Sequence, residues 1–357
     1  MAQTQRRGEL SALNVLFCLM VAFYHIASAT LASLDHLGLP FAILLVLQRM
    51  ACVSLPGFFF LSGLKLTLPS PGRNRTLPQY YLSRANRLLV PYILAAAVHY
   101  LIFVRLGWYS FSLGEFTQLT LRGSLSAQFY FVIVLVQFTL LAPVFQRLVQ
   151  RYSPLVMLPP ALILTQCSGQ IFGALAQLFP NTPLHYYTGS ICTNFLFYYL
   201  AGCCAGTNYE SFRTLLAKNR PLILAMVLIF TCADQAGSIL QYSGRWEIPF
   251  LNSLHLLYYI SGILFFCMLP APRWAGTSGR LIQAIDRASY LIYLYHCLVI
   301  TLFNLYAPNW GLTGTGTQFL ARTAATYGVT IGVCILWQQL WSAGTAILSK
   351  TKEHNGL

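Results

Sequence analysis

The stretch LSALNVLFCLMVAFYHIASA, Leu10 to Ala29, decides the fold, because it stays almost wholly apolar for the length that a helix needs to cross a bilayer and still carries a histidine. Each helical residue rises about 1.5 Å, so about 20 of them span a hydrocarbon core about 30 Å thick. The same signature recurs along the chain. Further cores lie at Phe41–Leu64, Leu88–Leu106, Gln128–Phe145, Leu155–Leu178, Ile191–Gly206, Leu222–Leu240, Pro249–Leu269, Tyr290–Tyr306 and Gln318–Leu348; of these the sixth of the series, Ile191–Gly206, is short and the last is overlong. The pattern predicts an all-α integral membrane protein, a bundle of about ten transmembrane helices.

Composition agrees with that pattern. Hydrophobic residues make up 57% of the 357 residues and charged residues only 8%, with a mean hydropathy of +0.61. A soluble domain carries roughly a quarter charged residues, so the solvent here is lipid. No soluble domain, long low-complexity linker or internal repeat is apparent, and residues 1–357 are expected to form a single membrane domain.

Basic residues orient the bundle, since short cytoplasmic loops concentrate Lys and Arg. With the N-terminus inside and ten spans, all of the 22 basic residues except Arg49, Arg105, Arg122, Arg245 and Arg322 fall in or beside cytoplasmic segments. Both termini are therefore expected in the cytoplasm, with the chain a multi-pass protein of the cytoplasmic (inner) membrane. The net charge of +14 is accounted for by this asymmetry and by anionic lipid; no nucleic-acid partner is implied. MAQTQRRGEL has the positive flank of a signal peptide, but no small-residue cleavage site follows a short apolar core, so a retained first span is expected. The ten cysteines lie mostly in the spans without a C-x-x-C pair, which suits small buried hydrophobes; no metal is expected.

Function has to come from the polar groups that hydrocarbon tolerates poorly, because ionisable residues in spans face the bundle interior and mark sites or pathways. Asn14, Cys18, Val21 and His25 stand at i, i+4, i+7 and i+11, one small or polar stripe of a helix. That stripe is expected to line an internal cavity, with His25 roughly 20 Å from the inner surface; His25 either catalyses or bonds a neighbouring helix. In YLSRANRLLVPY (Tyr81 to Tyr92), Arg84 and Arg87 sit just before a span. Guanidinium forks there suit a polyanionic phosphate, or simply anchor the helix at the cytoplasmic surface. LQRMACVSLPGFFFLSGLKL (Leu47 to Leu66) sets Arg49 inside a span ahead of Pro56, Gly57 and Ser62. A helix weakened at Pro56 beside a buried Arg suggests a ligand chamber; the alternative is Arg49 snorkelling outward. Asp234 could orient a base or pair with an Arg; His99, Arg105 and Arg322, with His185, His255 and His296 nearer the ends of spans or in loops, complete the list.

Several ordered motifs together resemble the membrane-bound acyltransferase family 3: VAFYHI in the first span, Arg49 to Gly63 in the second, the Arg84/Arg87 segment, QFYFVIVLVQFTLLAPVF (Gln128 to Phe145), FYYLAGCCAG (Phe197 to Gly206) and SYLIYLYHCLVI (Ser289 to Ile300). One departure is Asn14, where many members carry an Arg. The resemblance implies O-acetyltransferase-like transfer of an acyl group, usually acetyl, from cytoplasmic acyl-CoA (acetyl-CoA) to a hydroxyl of a glycan or lipid-linked sugar, with no metal cofactor. It implies His25 as general base or transient acyl carrier, and Arg84 and Arg87 as the cradle of the CoA phosphates. Arg49 becomes a charge stabiliser, with Asn14, Ser62, Tyr130, Asp234 and His296 lining the substrate cavity; His296 could also simply pack. Some members have an appended extracytoplasmic esterase-like domain, which is not expected here. The rival is a multi-span transporter or flippase of a sugar or lipid, which would be indifferent to acetyl-CoA; an inactive relative is the third option. Oligomeric state is not legible.

Overall fold

The computed structural model describes residues 2–69, 76–270 and 276–354, with side chains over 8–69, 76–270 and 279–341. Arg73, Arg75 and Arg273, counted above as cytoplasmic cations, lie outside the described residues, as do the side chains of Arg6, Arg7, Lys350 and Lys352. The chain is 84% helical, with no strand among the described residues. In order, the helices are α1 (Ala2–Leu31), α2 (Leu39–Ala51), α3 (Ser54–Thr67), α4 (Leu77–Arg84), α5 (Val90–Arg105), α6 (Leu113–Arg122), α7 (Tyr130–Arg151), α8 (Pro154–Leu178), α9 (Leu196–Thr207), α10 (Tyr209–Lys218), α11 (Arg220–Tyr242), α12 (Leu251–Met268), α13 (Gly276–Tyr306) and α14 (Thr315–His354).

These pack as two compact units: Asp35–Leu269, holding α2 to α12, and Met1–Leu34 with Pro270–Leu357, holding α1, α13 and α14. In the second of these, Asn14 lies beside Asp286 and Ser289 and His25 beside His296, so α1 and α13 run in the same direction. α14 runs back, since Arg322 near its start bonds Thr30 and Asn304 while Tyr327 further along bonds the Leu19 carbonyl.

Among the described residues nine helical segments are long and apolar enough to cross a bilayer, one fewer than the sequence suggests. The exception is the sixth: its helix, α9, has 12 residues, about 18 Å, and three 3₁₀ turns precede it at Pro183–Tyr186, Thr188–Ser190 and Cys192–Phe195. Six full-length spans lie between α1 and α13. An even number would set those two helices antiparallel, so the turns plus α9 supply the missing crossing. Irregular backbone at membrane depth requires protein partners for its polar groups, and α7 and α8 provide them. Gln137 donates to the Ser190 carbonyl at 2.7 Å and accepts from the Cys192 amide at 3.0 Å, Thr165 Oγ1 accepts from the Phe197 amide at 3.0 Å, and Ser168 meets Thr193 at 2.6 Å.

The second span breaks earlier than Pro56 and Gly57 suggest. Cys52 and Val53 form a turn between α2 and α3, which leaves Pro56 in the first turn of α3, where a missing N–H costs nothing. A five-residue π-helix, Ala85–Leu89, joins α4 to α5; Pro91 cannot donate to the Arg87 carbonyl, and the widened turn absorbs that loss.

α3 and α9 approach backbone to backbone through glycine. A Cβ on Gly202 would stand 2.0 Å from the Phe60 carbonyl oxygen, one on Gly63 2.0 Å from that of Tyr199, and one on Gly206 2.3 Å from that of Leu64. Close contact of this kind is how helices associate in lipid, where the hydrophobic effect contributes little. Gly202→Ala is expected to cost about 1–3 kcal/mol by overpacking, read as a lowered melting temperature in detergent, whereas Gly169→Ala, with nothing within 4 Å of its new Cβ, leaves it unchanged.

Candidate active site

In the unit formed by α1, α13 and α14, the α1 stripe faces α13. Asn14 Nδ2 donates to Asp286 Oδ1 at 2.7 Å and to Ser289 Oγ at 2.9 Å. Ser11 donates to Asp286 Oδ2 at 2.6 Å, and Cys18 Sγ reaches the Ser289 carbonyl at 3.5 Å. Asn14 is thus joined to a carboxylate, and a guanidinium is absent from that position. Three turns along, the rings of His25 and His296 lie 5.2 Å apart, tilted by 49°. His25 is half-buried and His296 buried.

Local helix geometry sets the tautomer of His296. Its Nδ1 lies 3.2 Å from the Ile292 carbonyl one turn back; a carbonyl only accepts, so in the neutral ring Nδ1 carries the proton and Nε2 presents a lone pair. That Nε2 lies 3.4 Å from Cys297 Sγ. Ring nitrogens of the two histidines and Cys297 Sγ all lie within 4.8 Å of one another. Two imidazoles and a thiol so placed can take, hold and return a proton away from bulk water.

The other unit holds a separate polar cluster. Arg49 is buried, 7% exposed, rather than snorkelling, and its Nη2 pairs with Asp234 Oδ1 at 3.4 Å. His255 Nδ1 shares that oxygen, while the Tyr259 hydroxyl lies 3.3 Å from Nη2 and Cys52 Sγ 3.4 Å from Nη1. Asp234 therefore neutralises Arg49. Arg84 and Arg87 are exposed at the α4 end and in the π turn, with Arg84 lying 5.5 Å over the Tyr80 ring. Neither pairs with a carboxylate among the described residues. Ser62, on α3, and Tyr130, the first residue of α7, are half-buried and belong to neither cluster. His99 is fully buried, its Nδ1 2.8 Å from the Ala95 carbonyl and its ring 4.8 Å from Phe129, so it serves as a core residue.

Over residues 7–337 the sequence matches the family described as an acyltransferase domain. The chain belongs to that family. A relative in Staphylococcus aureus (strain MSSA476), named "Probable poly-beta-1,6-N-acetyl-D-glucosamine export protein", is 24% identical over 85% of this chain and 86% of its own. A Bacillus subtilis (strain 168) relative, named "Putative membrane-bound acyltransferase YfiQ", is 23% identical over 81% of this chain and 79% of its own. No solved structure matches. Within this acyltransferase-family chain, the sequence singles out His25 and His296 separately, and packing brings them together. Asp286 was missed, because a span starting at Tyr290 leaves it in a loop, whereas α13 begins at Gly276. The signal that could have found it is the i, i+3 spacing of Asp286 and Ser289, which puts both on one helix face.

Proposed function

We propose that this protein is an acyltransferase of the cytoplasmic (inner) membrane that moves an acyl group, acetyl in the simplest case, from cytoplasmic acyl-CoA to a hydroxyl of a glycan or lipid-linked sugar. The observation that carries this is the pair of imidazoles, 5.2 Å apart, inside a helical unit of an acyltransferase-family chain. His25, the more accessible ring, takes the proton of the acceptor hydroxyl as it attacks the thioester. General-base help of this kind is worth about 10²–10⁴ in rate. His296, fixed by Ile292, is the neighbour that holds His25 in place. Arg49, its charge shared with Asp234, ties α2 to α11 within its own unit. Ser62 and Tyr130 remain candidates for lining the acceptor's path.

Arg84 and Arg87 are assigned the CoA phosphates: both are exposed, sit in a segment expected at the cytoplasmic face, and carry forks that match phosphate oxygens. Arg84→Ala with Arg87→Ala is expected to weaken acetyl-CoA binding about tenfold or more at low salt and less at high salt, where screening already diminishes the charge. Titration of acetyl-CoA at two ionic strengths measures it, and an unchanged dissociation constant at low salt removes the cradle role.

A second reading follows from the export function named for the staphylococcal relative, namely passage of a glycan through the bundle. Acetyl-CoA separates the two. The purified acyltransferase binds it and consumes it when acceptor is present; a transporter neither binds nor consumes it.

A further inference from the structure

We propose that Cys297 carries the acyl group as a covalent thioester between donor and acceptor, with His296 handling the thiol proton. This inference rests on the acyl-transfer function proposed above. Direct transfer needs one base, yet the site contains two imidazoles and a thiol, with their reactive atoms within 4.8 Å of one another. The thiol lies 3.4 Å from His296 Nε2, the nitrogen left unprotonated by the bond from Nδ1 to the Ile292 carbonyl. A nucleophile beside a base that a third group orients is the arrangement used in covalent catalysis. Cys297 is buried, 7% exposed, which keeps water from hydrolysing a thioester formed there. The other cysteines are likewise free of disulfides, but Cys297 is the one that forms this cluster with both histidines.

The two half-reactions balance. In the first, His296 Nε2 takes the Cys297 proton, the sulfur attacks the acyl-CoA carbonyl, and the bond from carbonyl to CoA sulfur breaks; the departing CoA thiolate takes the proton from His296. One thioester replaces another, so little free energy is lost. In the second, His25 takes the acceptor hydroxyl proton, the oxygen attacks the Cys297 thioester, and the carbon–sulfur bond breaks. The proton returns from His25 to the Cys297 sulfur, leaving an ester and the starting enzyme. Two bases for two proton transfers is what the cluster supplies.

Purified full-length protein incubated with labelled acetyl-CoA and no acceptor, then quenched and weighed intact, tests this. The expected result is a mass gain of one acetyl group per chain, mapped to the Cys297 peptide and removed by hydroxylamine. Cys297→Ala and the near-isosteric Cys297→Ser should each lack the hydroxylamine-labile adduct and transfer at least 100-fold more slowly, with wild-type melting temperature and acetyl-CoA binding. Three outcomes overturn the relay. One is wild-type transfer rates in Cys297→Ala, with His25→Ala inactive, which leaves the acyltransferase function standing. Another is an active wild type that shows no adduct under single-turnover conditions. The third is stoichiometric zinc bound to His25, His296 and Cys297 in the purified protein. Failure of the wild type to bind or consume acetyl-CoA sinks the functional proposal and the relay with it.

Discussion

His25→Ala is expected to reduce acyl transfer by about 10²–10⁴-fold, equivalent to about 3–5 kcal/mol of lost transition-state stabilisation, while leaving the folded protein and its affinity for acetyl-CoA intact. The side chain is half-buried and meets its surroundings through the rings of Tyr24 and His296, so truncation removes an imidazole without opening a large cavity. The measurement is the turnover rate per folded molecule, beside the melting temperature and the acetyl-CoA dissociation constant of the same preparation. Undiminished turnover removes His25 from the mechanism. A collapse in melting temperature makes it a packing residue instead.

The largest stability effect is expected at Asp234. Asp234→Ala leaves the Arg49 guanidinium buried at 7% exposure without its carboxylate, and stranding one partner of a buried pair costs about 3–5 kcal/mol. Replacing both partners with apolar residues of similar size, Arg49→Met with Asp234→Leu, should recover most of that loss, since neither desolvated charge remains. Thermal unfolding in detergent of the two single variants and the double variant provides the cycle. If the double variant is no more stable than the worse single, the pair is not the coupled unit described. Transfer by the double variant also asks whether Arg49 acts on the thioester directly: near-wild-type turnover assigns it to positioning alone, and a loss comparable to His25→Ala restores it as a charge stabiliser.

Long apolar runs such as Leu10–Ala29 and Leu222–Leu240 announce their helices because length against bilayer thickness is a one-dimensional property. The crossing at 183–207 was not legible in form, since hydropathy reports that a segment is apolar and not that Gln137 and Thr165 stand ready to satisfy its backbone, or Ser168 the Thr193 hydroxyl. In GCCAG (Gly202 to Gly206) the small-xxx-small spacing is visible, but its partner Gly63 on α3 is not. Arg49 and Asp234 each stood out as a charge in lipid, and 185 residues separate them; only tertiary packing pairs them. His25 and His296 were noticed for the same reason, the cost of a polar group in hydrocarbon, and their meeting likewise needed the fold. The break before Pro56 moved to Cys52 and Val53 because proline is tolerated in the first turn of a helix and so need not mark where the chain bends.

The account stands on the claim that an acyl group leaves CoA and arrives on a sugar hydroxyl through the unit that holds His25. The most direct measurement is the passage of label from acetyl-labelled acetyl-CoA to membrane glycans in proteoliposomes containing the purified protein, with products read by mass spectrometry. The prediction is glycan mass rising by one acetyl group with the wild type and at a rate at least 100-fold lower with His25→Ala. Label that stays in acetyl-CoA while the same vesicles carry unmodified glycan across the bilayer would contradict it.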